Sequence, residues 1–98
     1  APAQHQLLLA VRGFAGPEPP TIGDMASTLQ QRHHSVSELV DRAVAAGLVR
    51  READAADRRR QQLRLTAEGE AILAELSSAH RAELRELRGE LLRSLDAL

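Results

Sequence analysis

The sequence predicts a mainly α fold with one small β-hairpin, an α+β arrangement of three helices, a ribbon and a long last helix. Three observations predict it. Apolar residues recur at helical spacing over residues 3–14, 22–29 and 36–44. Two five-residue runs, 49–53 and 61–65, alternate outward arginines with apolar or neutral residues, which is the period of a strand. A leucine seam then runs through the last third of the chain.

The first helix, Ala3 to Phe14, places Leu7, Leu8, Val11 and Phe14 on one side. Gly16-Pro17-Glu18-Pro19-Pro20 ends it and makes a stiff loop. Thr21 follows as an N-cap with Asp24 three residues on, a relative of the capping box. The short helix Ile22 to Leu29 turns Ile22, Met25, Ala26 and Leu29 inward, and Gln30 with Gln31 makes the turn behind it. The next helix runs to Ala46, with Gly47 as its stop. Val36, Leu39, Val40, Ala43 and Val44 face inward there, which leaves His33, His34, Ser37, Glu38, Asp41 and Arg42 outward. Two starts are open for this helix. Arg32 is a poor cap, whereas Ser35 with Glu38 forms an S-x-x-E box that puts the first regular turn at Val36.

The strands 49–53 and 61–65 form a hairpin. Its loop carries Asp54, Asp57, Arg58, Arg59 and Arg60 without Gly or Pro, so its tip is expected to be mobile. Thr66 caps the last helix. From there the seam reads Leu73, Leu76, His80, Leu84, Leu87, Leu91, Leu95, Leu98, with spacings of 3, 4, 4, 3, 4, 4 and 3. A helix from Ala67 to Leu98 is about 48 Å long at about 1.5 Å per residue. A compact domain of this size has a radius of gyration near about 13 Å. The helix therefore overhangs, and its far leucines need a partner, for which a second copy of the chain is the simplest choice. The monomer alternative is a break at Gly89 that folds the last turns back.

Composition narrows the function classes. Ninety-eight residues make one domain with a modest core. Cysteine is absent, which removes disulfides, thiolate metal sites and thiol redox sensing. No apolar run approaches the roughly eighteen residues of a membrane span, and no secretory signal opens the chain. A cytoplasmic protein without membrane contact is expected. Phe14 is the only aromatic residue, which argues against the stacking platforms of single-strand binders. All thirteen basic residues are arginine, a planar fork suited to phosphate and guanine edges, although for the excess alone a GC-rich genome is the favoured explanation. The net charge of −1 hides an uneven distribution. Residues 50–66 hold six arginines against Glu52, Asp54 and Asp57, while residues 67–98 hold four against seven acids. Positive charge sits in the ribbon, and the acidic tail is expected to face away from a polyanion.

A helix–turn–helix with a basic ribbon behind it is suited to reading duplex DNA. The candidate contacts on the helix are Arg32, His33, His34, Ser35, Ser37, Glu38 and Arg42, where His and Ser can meet base edges and Arg42 suits a phosphate. On the ribbon they are Asp57, Arg58, Arg59 and Arg60, with Asp57 placed to orient an arginine beside it. Taken alone, each set could be an ordinary solvated surface, and it is their order in the chain that favours DNA. Adjacent His33 and His34 point about 100° apart on a helix and do not suit one metal ion. No metal or other cofactor is implied. No nucleophile elbow, phosphate loop or paired buried carboxylate is visible, so an enzyme is not expected.

Pro2-Ala3-Gln4, Ile22-Gly23-Asp24-Met25-Ala26, Leu39-Val40-Asp41-Arg42, Ala46-Gly47-Leu48-Val49-Arg50-Arg51, Asp57-Arg58-Arg59 and Leu65-Thr66-Ala67-Glu68-Gly69 occur in this order. Together they resemble the MarR (multiple antibiotic resistance regulator) family of bacterial winged helix-turn-helix repressors. The resemblance implies residues 1–66 as a winged helix-turn-helix DNA-binding domain and residues 67–98 as a helical dimerisation segment. It implies a homodimer on palindromic double-stranded DNA, released by a small, often phenolic, effector. The helix from His33 to Ala46 would enter the major groove, and Asp57 would hold Arg59 at a minor groove. Leu73, Leu76, His80, Leu84, Leu87, Leu91 and Leu95 would form the dimer interface. Three departures stand beside the resemblance. The family's first helix lies before the start of this sequence. Gln31 and Arg32 stand where an apolar residue and a Ser or Thr cap are usual, and the cysteine of the peroxide-sensing branch is absent. The alternative function is a winged helix used for protein interaction or dimerisation without specific DNA binding.

Overall fold

A computed structural model describes residues 2–98. Its elements are α1 (Pro2–Arg12), α2 (Ile22–Leu29), α3 (His33–Ala45), β1 (Val49–Ala53), β2 (Gln61–Leu65) and α4 (Ala67–Asp96). The winged helix-turn-helix arrangement and both strand boundaries agree with the sequence reading. The first helix ends two residues earlier than its apolar spacing suggests, because the backbone N–H of Gly13 takes the last helical bond and Phe14 packs from the following loop.

Each joint has a local cause. Thr21 and Asp24 make a full capping box, with each side chain bonded to the other's backbone N–H at 3.1 and 2.9 Å. Gln30 closes α2 in a left-handed conformation, φ 53°. The start of α3 left open above resolves to His33: Arg32 occupies the N-cap position with no side-chain bond, and Ser35 lies inside the helix. The S-x-x-E box is therefore not used. At the other end Gly47 adopts φ 76° while Leu48 N–H reaches back to Ala43 O and Gly47 N–H to Val44 O. That is a Schellman ending, which needs a residue without a Cβ penalty at Gly47.

The hairpin pairs Val49 with Leu65 and Ala53 with Gln61 in antiparallel register. One edge of β2 is taken by the loop before α2. Leu63 N–H donates to Pro20 O at 2.7 Å, and Thr21 bridges Gln62. The proline-rich segment is thus a third, very short strand that ties the wing to the helix-turn-helix. The core joins Leu7, Leu8, Val11, Met25, Val36, Leu39, Val40, Ala43, Val49, Leu63 and Leu73.

The last helix is continuous from Ala67 to Asp96 and passes through Gly89 without a break. At about 1.5 Å per residue its thirty residues span about 45 Å. The molecule is accordingly long, 62 × 26 × 25 Å, with a radius of gyration of 17.3 Å. Its buried residues, Gly69 and Leu73, lie in the first two turns. No helix of the described residues is long and apolar enough to cross a membrane.

Candidate nucleic-acid interface

Burial decides which side of α3 is free. Val36, Leu39, Val40 and Ala43 are buried at helical spacing, so the opposite side must face solvent. His33, His34, Ser35, Glu38 and Arg42 are exposed there, as is Arg32 just before the helix, and Ser37 is half-buried. Because Arg32 supplies no cap, the N–H groups of the first turn have no side-chain partner among the described residues. Within one turn, His34 Nε2 lies 3.2 Å from Glu38 Oε1.

The wing separates its arginines into two sets. On the strands, Arg50 and Arg64 stand opposite each other, and Glu52 lies between them at 2.9 and 2.6 Å. Arg51 turns to the other side and binds Asp41 of α3. At the tip, Arg58, Arg59 and Arg60 are exposed and make no ion pair among the described residues. Three of the six ribbon arginines are therefore held by acids, and the cations available to a polyanion are those of the tip.

Two aspartates close the tip through backbone bonds that the sequence reading did not anticipate. Asp54, only 7% exposed, accepts from Ala56 N–H at 2.8 Å, and its own N–H donates to Arg60 O. Asp57 accepts from Arg59 N–H at 3.0 Å. These are Asx turns, in which a carboxylate replaces the conformational freedom of glycine. Asp57 was expected to hold the Arg59 side chain; it holds the Arg59 backbone instead and leaves the guanidinium free.

Recognition helix and wing meet at one groove of about 360 Å³, lined by Thr21, Ile22, Gly23, His33, Arg59, Arg60 and Gln61. The tip arginines and the first residue of α3 therefore border one concave surface. Among the described residues no three His, Cys, Asp or Glu side chains come together as a metal site.

The leucine seam divides in two. Leu73 is 2% exposed and belongs to the core of its own chain, so it is not available to a partner, contrary to its place in the expected interface. Leu76, Leu84, Leu87, Leu91 and Leu95 are 40–63% exposed, and His80 is exposed as well. Ile72 and Leu92 also expose large apolar side chains, and the seam pattern missed both.

Sequence reasoning also missed the Asp41–Arg51 pair. Its signal was faint: two opposite charges ten residues apart, on either side of the Gly47 turn. Arg51 is the more enclosed partner, with its side chain 29% exposed and its Nε buried without an acceptor.

Comparison with known proteins agrees with this geometry. The MarR family profile matches residues 1–60, which hold the helix-turn-helix, the first strand and the wing tip. Over 40 residues the chain is 58% identical to the transcriptional regulator HosA of Escherichia coli, a match covering 41% of this chain and 30% of that protein. A MepR mutant from S. aureus superimposes with a TM-score of 0.86 at 24% identity, covering 92% of this chain and 65% of that one. The S. aureus MepR–DNA complex gives 0.81 at 25% identity, covering 93% and 67%. The chain thus spans under a third of HosA and about two thirds of the MepR chains. With the profile over more than half its length and the same fold around it, this chain belongs to the MarR family.

Proposed function

We propose that this chain is a sequence-specific double-stranded DNA-binding transcriptional regulator that acts as a homodimeric repressor on palindromic sites. One observation carries the reading: His33, on the free side of α3, and the tip arginines Arg59 and Arg60 border the same groove. A duplex can then meet α3 in its major groove while a wing arginine reaches the neighbouring minor groove. A MepR relative whose structure contains DNA has the same fold over 93% of this chain, which supports the reading.

Dimerisation rests on α4. Its outer turns expose Leu84, Leu87, Leu91, Leu92 and Leu95 beyond the reach of the core. Burying such a face against a second copy removes apolar surface from water at about 25 cal/mol per Å². The two-fold axis that results matches a palindrome. Release by a small effector is the further part of the proposal. A groove of about 310 Å³ between α1 and α4, lined by Leu9, Arg12, Leu73, Ala74, Ser77 and Arg81, offers an apolar floor, the guanidinium of Arg81 and that of Arg12, which Glu70 holds at 2.6 Å. A phenolic or carboxylic compound suits that chemistry. A regulator of this kind works in the cytoplasm, where the DNA is.

Selection of bound sites from random duplexes tests the reading. The expected result is an inverted repeat bound with steep salt dependence. Salt-steep binding with no preferred sequence would reduce the chain to a general DNA-coating protein. No retention of any duplex would leave the protein-interaction alternative.

A further inference from the structure

The His34–Glu38 pair is not accounted for by general attraction to DNA. The two side chains are 85% and 61% exposed, so the pair adds little to the fold. Glu38 also stands on the side of α3 turned towards the proposed duplex, where a lone carboxylate would be repelled by phosphate. Its partner changes that balance. A protonated His34 one turn away cancels the charge of Glu38 and keeps the face acceptable to a polyanion.

The geometry also fixes which ring atom is free. A carboxylate only accepts, so the Nε2 that lies 3.2 Å from Glu38 Oε1 carries a proton. Nδ1 is then the atom left for a base. In the neutral ring this atom is an acceptor, and in the imidazolium it is a donor. The two forms fit different edges. An acceptor meets the amino group of cytosine or adenine, whereas a donor meets N7 or O6 of guanine.

Other charged groups do not alter this assignment. His33 is adjacent but lies at the groove shared with Arg59 and Arg60, and His34 does not line that groove. Asp24 of α2 is engaged by Thr21 in the capping box. Arg32 precedes the helix, and Asp41 is held by Arg51. Glu38 is the one acid paired with His34.

From this we infer that His34 reads one guanine in each half-site as an imidazolium, with Glu38 as the positioning residue that fixes its ring, so that the base preferred there depends on pH. The inference rests on the DNA-binding reading above.

The test is selection from random duplexes by this chain at about pH 6 and about pH 8 at equal ionic strength, either side of the histidine charge change. At one position per half-site, guanine should prevail at the lower pH and give way to cytosine or adenine at the higher. The guanine-to-cytosine affinity ratio should change by about 5- to 100-fold. His34→Gln should select the same base at both pH values, and His33→Gln should retain the shift. Glu38→Gln should shrink the shift, because an amide does not force the proton onto Nε2. All three positions are exposed, and unchanged far-ultraviolet circular dichroism would show the variants folded. The inference is overturned if the wild-type preference is the same at both pH values, or if His34→Gln keeps the shift. Retention of no duplex at either pH would instead overturn the DNA-binding reading, and this inference with it.

Discussion

Arg58, Arg59 and Arg60 differ from Arg50, Arg51 and Arg64 in one respect that matters to a polyanion: no carboxylate holds them. An arginine already paired with Glu52 or Asp41 must give up that partner before it can serve a phosphate. Arg59→Ala should therefore cost about 1–3 kcal/mol of binding, most of all on sites with narrow, A·T-rich minor grooves beside the core. Gel shifts on flank-substituted duplexes check this, and equal losses on every flank would make Arg59 a general phosphate contact. Arg42→Ala should lower affinity evenly, with base preference intact, since it lies one turn beyond Glu38 towards a backbone position. Asp41 and Arg51 join α3 to the wing. Asp41→Asn and Arg51→Gln should each loosen flank preference. A double-mutant cycle should give a coupling of about 0.5–1 kcal/mol, the scale of a half-exposed pair.

Among the elements, the junction between α3, the wing and α4 is the tightest. Thr66 caps α4 by accepting from Gly69 N–H at 3.0 Å, and its hydroxyl donates to Gly47 O. Gly69 passes so close to the preceding turn that an added Cβ would stand 2.0 Å from Leu48 O. Gly69→Ala should thus destabilise the chain by about 1–3 kcal/mol in urea unfolding, although alanine is the better helix former. Asp54→Ala should cost about 1–2 kcal/mol by stripping Ala56 N–H of its acceptor, and amide exchange should quicken at Ala56 first. These examples mark what was legible in the sequence. Both strands, the Thr21 cap and the Gly47 stop came from period and local chemistry, which act over a few residues. Arg32 left the start of α3 open because a poor cap is tolerated when Val36, Leu39 and Val40 bury well behind it. The closed wing tip was missed because aspartate can do the work of glycine. Leu73 was assigned to a partner because spacing alone does not tell where a domain stops covering a helix. The strand-like pairing of Pro20 and the Asp41–Arg51 pair depend on folding in three dimensions, and no local pattern carries them.

For the whole molecule, the 62 Å length is the observation that asks for explanation. A helix whose outer turns expose Leu84, Leu87, Leu91, Leu92 and Leu95 is poorly suited to water by itself. Replacing Leu84 and Leu87 together by Glu should give monomers by light scattering while leaving the helix-turn-helix folded. Operator affinity should fall by about 100-fold or more, because the second half-site is no longer bound in the same event. We propose that one two-fold axis presents two recognition helices to one side of a duplex. Hydroxyl-radical footprinting on a selected site tests that claim most directly. The result predicted is two symmetric protected patches centred about one helical turn, roughly 10 base pairs, apart, with outer minor-groove protection that vanishes in Arg59→Ala. A single unsymmetrical patch, or protection spread evenly over any sequence, would contradict it.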